Sequence, residues 1–265
     1  IKEIKDVSII TNELAELFGW YVAEGSLIKQ KRGVLVEFSP GHHEKENIKR
    51  VKELIELTFP CEPHIYEKKT ATVVSFSSKY WSRIFEQFGV GAKNKHLPKW
   101  FIYLPPEKQY AFLRGLILGD GTIGKYRIEI ATTSEKLAYQ LRLLLFRLGI
   151  LHSVKKYHQK GGEIEGRKVG ETDVYIISIS GDSARELAKK IGIKYDGGKR
   201  TSGNFGYVTD NYILIPIKRI RREKYNGTVY NLHVDGDESY LTIHGAVPVS
   251  YTHLRAHETE ADLVC

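Results

Sequence analysis

Two nine-residue stretches constrain this 265-residue chain more than anything else in it: Leu17–Gly25 (LFGWYVAEG) and Leu113–Gly121 (LRGLILGDG). Both start with leucine, carry glycine third, a small residue seventh, an acid eighth and glycine ninth. A carboxylate in the last turn of a helix faces the negative end of the macrodipole and costs stability there. Finding that feature twice, with Glu24 and Asp120 offset by 96 positions, makes a chance helix ending an inadequate account. Positions three and seven are four apart and share one helical face. Gly19 and Ala23, and Gly115 and Gly119, therefore define a face on which two helix backbones can cross closely. Packed through those faces, the helices bring Glu24 beside Asp120. Two carboxylates in that position call for a cation between them, and hard divalent ions take such oxygens.

The segments around each nonapeptide repeat as well. Periodicity predicts a helix over about 13–24, with Asn12 as N-cap and Gly25 as a C′ stop. Strands follow at SLIKQ and GVLVEFS, then a helix in which Ile48, Val51, Ile55 and Leu57 share the apolar stripe. PHIYEK and ATVVSFSS read as strands, and KYWSRIFEQFG as a helix ending at Gly89. After a Pro- and Gly-rich connector over 90–107 the order returns: an apolar helix, TIGKYRIEIATT, a helix N-capped by Ser134, the strands HSVKKYH and DVYIISIS, and a helix capped by Asp182 and stopped at Gly192. The fold class is α+β, as two copies of αββαββα over 10–89 and 108–200; such duplication is an organising feature in itself. Residues 205–249 read as a separate, short β-rich unit, with Asn226-Gly227 and Asp235-Gly236 as hairpin turns.

Charge and composition narrow the partners. Net charge is +8 and the pI about 9.2, an excess that suits a polyanion, nucleic acid foremost. No run approaches the roughly 18 apolar residues of a membrane span, and the first residues carry no signal-peptide core. Two cysteines, Cys61 and Cys265, argue against a disulfide framework, fit a reducing compartment, and leave Cys61 a structural reading. His42-His43 reads as a polar turn before a helix. With Ile1 first and no methionine, the N-terminus is expected to be a cut edge.

The paired nonapeptides resemble the motifs of the LAGLIDADG, or DOD-type, homing endonucleases, and the resemblance covers about residues 10–200. It implies a pseudo-symmetric saddle of two four-stranded antiparallel sheets astride DNA, with the motif helices at the centre. It also implies that Glu24 and Asp120 are catalytic metal ligands for Mg²⁺ or Mn²⁺, each serving one DNA strand. The sixth motif position, often acidic in the family, is Val22 and Leu118 here. KNKHLP, residues 93–98, resembles the lysine-proline block of intein-borne members, so Lys95 matches the family's active-site lysine, which would stabilise phosphate charge or position a water. Aligning Gly89 with Gly192 puts Lys199 one residue from a symmetry-related place.

Alternation in GKYRIEI sets Lys125, Arg127 and Glu129 on one strand face and Tyr126, Ile128 and Ile130 on the other. Arginine suits guanine edges, glutamate cytosine, and lysine phosphate. With Lys29, Lys31, Arg32, Lys68, Lys69, Lys155 and Lys156 near the hairpins, these residues form the expected DNA surface. GTVYNLHVDGDESYLT resembles a late block of the intein splicing (Hint) fold, with Asn231 and Glu238 departing from its pattern. The ending His-Asn and acyl acceptor of an intein are missing, and 250–265 resembles a non-native tail, so splicing is not expected. The expected activity is a metal-dependent, site-specific double-strand break by a cytoplasmic monomer acting on a long asymmetric duplex site. The alternative is a LAGLIDADG module that binds DNA or RNA without cutting, as a regulator or maturase.

Overall fold

The computed structural model describes residues 10–31, 33–164, 167–197, 206–209, 212–217 and 219–228, with the backbone alone at 163–164 and 167–169. Helix α1 (Asn12–Glu24) leads into β1 (Gly25–Gln30) and β2 (Gly33–Phe38). Then come α2 (Lys45–Thr58), β3 (His64–Glu67), β4 (Thr72–Ser77) and α3 (Lys79–Glu86). Two 3₁₀ turns, Ala92–Asn94 and Lys99–Tyr103, precede the second copy. That copy runs α4 (Pro106–Asp120), β5 (Gly121–Ile123), β6 (Arg127–Thr132), α5 (Glu135–Arg147), β7 (His152–Gln159), β8 (Gly162–Ile164), β9 (Arg167–Val169), β10 (Thr172–Ser180) and α6 (Gly181–Ile191). A short pair follows, β11 (Tyr207–Val208) and β12 (Ile213–Leu214).

Each half holds a four-stranded antiparallel sheet, ordered β1-β2-β4-β3 and β5-β6-β10-β7. The registers correspond: Gly25 faces Phe38 across the first hairpin and Gly121 faces Ile130 across the second. Glu37 and Glu129 therefore occupy equivalent places, opposite Ser75 and Ser178. The second half differs in growing an extra hairpin, β8–β9, between its last two main strands.

Helix α1 is apolar on nearly all sides, and Leu14 to Val22 is buried without interruption. A helix of that kind must be surrounded. It meets α4, similarly buried at Phe112, Leu113, Leu116 and Ile117, and one hydrophobic core runs through both halves. Val36, Phe38, Val74 and Phe76 join this core from the first sheet, and Ile128, Ile130, Ile177 and Ile179 from the second. The opposite sheet faces carry Ser26, Glu37, Ser75 and Tyr66, and Thr122, Glu129, Ser178 and Lys155, by strand alternation.

Local corrections follow from contacts that sequence spacing does not show. Thr11, not Asn12, caps α1: its hydroxyl accepts from the Leu14 N–H, while Asn12 accepts from Lys108. Asp182 lies inside the first turn of α6 and pairs with Arg185, and Ser180 is the N-cap residue. Leu57 is 70% exposed, and Leu54 completes the buried stripe of α2 with Val51 and Ile55. Tyr126 precedes β6 and is exposed rather than on its core face. Cys61 is exposed. Of the expected β unit over 205–249, the described residues show only β11–β12, which falls with the compact unit ending at Leu214. From 215 to 228 the described residues form no helix or strand, and 229–265 lies outside them.

Candidate active site at the paired helix ends

The separation of α1 and α4 is set by glycines. A Cβ at Gly19 would lie 2.0 Å from the Phe112 carbonyl oxygen, and one at Gly115 would lie 2.1 Å from the Glu16 carbonyl oxygen. Any larger side chain there meets backbone, which cannot rotate away. One turn further on, a Cβ at Gly119 would come 2.7 Å from the Ala23 Cβ. These close approaches bring the C-terminal ends of the two helices together. Gly25 and Gly121 then pass the chain directly into β1 and β5 with extended backbones, φ −84° and −89°. Neither is a left-handed stop; each is glycine because a Cβ would sit about 2.5 Å from the backbone of Tyr21 or Ile117.

Glu24 and Asp120 end these helices. The Glu24 carboxyl is pushed up to about 8, chiefly by burial and further by the charges of Glu44 and Asp120. Asp120 is exposed as a residue, yet desolvation of its carboxyl raises it too. Among the described residues no lysine, arginine or histidine pairs with Glu24, and its buried Oε2 has no hydrogen-bond partner. An orphaned carboxylate oxygen beside a second acid is a donor set that fits a hard divalent cation. Among the described residues no cluster of three or more His, Cys, Asp or Glu is assembled as a ready cage. Mg²⁺ is well suited to such an incomplete set, since it keeps several waters and takes phosphate oxygens.

Lys95 is held elsewhere in the same corner. It is 5% exposed, and its ammonium donates to the carbonyls of Tyr21 (2.5 Å) and Gly25 (2.9 Å) while lying 3.4 Å from the Tyr21 ring centroid. The cation thus neutralises the carbonyl end of α1 rather than the Glu24 carboxylate. Burial pulls its ammonium down to about 7. Its main chain is pinned to the other half: Ser134 Oγ donates to the Lys95 carbonyl (2.6 Å), and Gln140 brackets Leu97 through both N–H and C=O. Lys95 therefore ties α5 of the second half to the end of α1 in the first. Lys199 lies outside the described residues.

The basic residues divide by strand parity. Arg127 and Lys155, with the acid Glu129, lie on the face of their sheet turned away from the helices. Lys68 shares that face in the first half, but Glu37 holds it at 2.7 Å. Lys29 falls on the helix-side parity with Leu27 and is exposed in the outer half of β1. Lys156 is likewise on the helix-side parity and is paired with Asp173 at 2.9 Å. Lys31, Lys69 and Lys125 are exposed in turns, and Arg32 lies outside the described residues.

Three supporting features escaped sequence reasoning. Glu16, 3% exposed, accepts both Nε and a terminal nitrogen of Arg50 at 3.0 and 2.6 Å, with Arg114 Nε at 3.4 Å. Arg114 also donates to the carbonyls of Ile191 and Gly192, closing α6. Asn47 of α2 donates to the Leu118 carbonyl near the end of α4. Glu37, 3% exposed, accepts from the Tyr66 hydroxyl and the Lys68 ammonium. A lone acid inside the apolar run of α1 was the only sequence hint of the Glu16 cluster.

Comparison with known proteins agrees with this architecture. Residues 107–192 match the LAGLIDADG-like domain, and residues 15–86 match the WhiA LAGLIDADG-like domain. The ATP-dependent DNA helicase Hel308 of Thermococcus kodakarensis is 30% identical over 250 residues, covering 91% of this chain and 22% of the helicase. One subunit of the A-type ATP synthase of Pyrococcus abyssi is 29% identical over 223 residues, covering 82% of this chain and 19% of that protein. The chain thus spans about a fifth of the length of these relatives. A structure of I-DmoI in complex with its target DNA and Mn aligns with a TM-score of 0.52 at 16% identity, covering 70% of this chain and 98% of that one. The two halves have a LAGLIDADG fold.

Proposed function

From a chain built of two LAGLIDADG-like halves, with one acid from each at a shared seam, we propose a site-specific DNA endonuclease. The observation that carries this reading is the buried Glu24 oxygen beside Asp120, which has no partner among the described residues. Glu24 and Asp120 would hold Mg²⁺ or Mn²⁺. Such an ion supplies Lewis-acid stabilisation of charge on a scissile phosphate. The chain's own residues position that chemistry: Gly19 and Gly115 set the helix separation, and Lys95 keeps the end of α1 in place. The open sheet faces, with Arg127 and Lys155, and the turn residues Lys31, Lys69 and Lys125 would lie along duplex DNA and neutralise phosphates. Both half-sites would come from one chain, so the unit acts as a monomer on an asymmetric site.

The genomic setting would be an intein. A similar segment filling about a fifth of a helicase and of an ATP synthase component is what an inserted element in unrelated hosts produces. The motif comparison with intein blocks over 205–249 points the same way.

A second reading is a LAGLIDADG module that binds nucleic acid without cutting. The match of residues 15–86 to the WhiA domain favours it, as does the engagement of Lys95 with helix carbonyls. One experiment separates the two: incubation with DNA spanning intein-less host alleles in Mg²⁺, for the parent, Glu24→Gln and Asp120→Asn. The nuclease reading requires site-specific cleavage by the parent and its loss in both variants. Tight, sequence-specific binding with no cleavage by the parent establishes the module instead.

A further inference from the structure

On the open face of the second sheet, Arg127, Glu129 and Ser178 form a connected row. Ser178 of β10 stands directly opposite Glu129 of β6, and its hydroxyl donates to Glu129 Oε1 at 2.6 Å. Arg127, two residues earlier on the same face, places Nε 3.1 Å from Glu129 Oε2. Each carboxylate oxygen is therefore already engaged, which disfavours Glu129 as a direct reader of cytosine. The Arg127 side chain is 54% exposed, and it is held through Nε, away from its two terminal nitrogens. An arginine braced in this way presents a planar fork with reduced rotamer freedom.

The first sheet lacks this device at the equivalent place. Glu37 matches Glu129 in register, and Ser75 matches Ser178, but Leu35 stands where the second half has Arg127. Glu37 is instead covered by Tyr66 and Lys68. The two halves share a framework and differ in what it offers to a groove.

We propose that Arg127, oriented by Glu129 and Ser178, is a specificity-determining residue that selects guanine in the half-site under the second sheet, with no such selection at the pseudo-symmetric base pair under the first. Glu129 and Ser178 are positioning residues. The chemistry is the bidentate pairing of a guanidinium with guanine O6 and N7 in the major groove. The inference rests on the DNA-binding reading above, and it holds whether or not the protein cuts.

The test is selection of bound duplexes from a random-sequence double-stranded DNA library, in Ca²⁺, followed by sequencing. The parent is expected to enrich a motif with guanine at one position in one half. Arg127→Lys keeps the charge but loses the fork, so it is expected to lower the guanine preference there by about tenfold or more, with the rest of the motif intact. Glu129→Gln and Ser178→Ala are expected to weaken preference at that same position by smaller factors. An unchanged motif with Arg127→Lys and Arg127→Ala overturns the inference alone. So does an even fall in affinity across all sequences, which would mark Arg127 as a phosphate contact. A parent that enriches no sequence overturns the DNA reading and this inference with it.

Discussion

Substituting Gly19 by alanine tests the central claim that helix separation is set by backbone contact. The added Cβ would lie 2.0 Å from the Phe112 carbonyl oxygen and 2.7 Å from the Leu116 nitrogen. Favourable non-bonded heavy-atom separations begin near 3.5 Å, so the helices must part by about 1.5 Å at the crossing. Overpacking of well-filled cores costs about 1–3 kcal/mol, and a clash with backbone belongs at the upper end. Alanine returns about 1 kcal/mol of helix propensity relative to glycine. The net expectation is a loss of about 2 kcal/mol, or roughly 4–8 °C in melting temperature for a domain of this size. Urea unfolding followed by far-UV circular dichroism measures it. Gly170→Ala is the control: among the described residues nothing lies within 4 Å of an added Cβ, so its effect should stay within about 0.5 kcal/mol. Gly19→Ala and Gly115→Ala share one crossing, so the double variant should lose less than the sum of the two. A neutral or stabilised Gly19→Ala would refute the close crossing.

Other outcomes follow from the same geometry. Glu24 has a folded-state carboxyl raised from 4.5 to about 8, so the folded protein holds a proton that the unfolded chain releases. Stability should therefore fall as pH rises from about 4.5 to 8, and Glu24→Gln should flatten that fall in metal-free unfolding titrations. Added Mg²⁺ should raise the melting temperature of the parent above pH 7 and leave Glu24→Gln unmoved. Lys95→Met should retain cooperative unfolding but lower any cleavage rate at least about a hundredfold, measured in single turnover, because the end of α1 loses both bonds to the ammonium. Glu16→Ala leaves Arg50 and Arg114 facing each other without a carboxylate and should cost about 3 kcal/mol. A double-mutant cycle with Arg50→Ala should recover part of that loss, and strict additivity would dissolve the cluster as an energetic unit.

The order of helices and strands was legible in the chain because it depends on short-range period and on punctuation by glycine and proline. Gly19, Ala23, Gly115 and Gly119 stood out for the same reason, since four-residue spacing on a helix defines a face before anything packs on it. So did Glu24 and Asp120, whose cost at a helix end is a local matter. What surrounds those acids was not legible. Lys95 finds carbonyls 70 and 74 residues away, Arg50 finds Glu16 across 34, and Asn47 reaches Leu118 across 71. Such partners are chosen by how whole elements dock, and no local spacing encodes that. The same holds for the basic residues. Alternation predicted that Arg127 and Glu129 share a face, yet whether Lys29, Lys68 and Lys156 are free depended on strand register and on Glu37 and Asp173 across the sheet. Local sequence determined which elements form and where the acids stand. Tertiary docking decided which charges are answered within the protein and, among the described residues, left Glu24 without an answer, because burial and pairing are properties of surfaces brought together from distant parts of the chain.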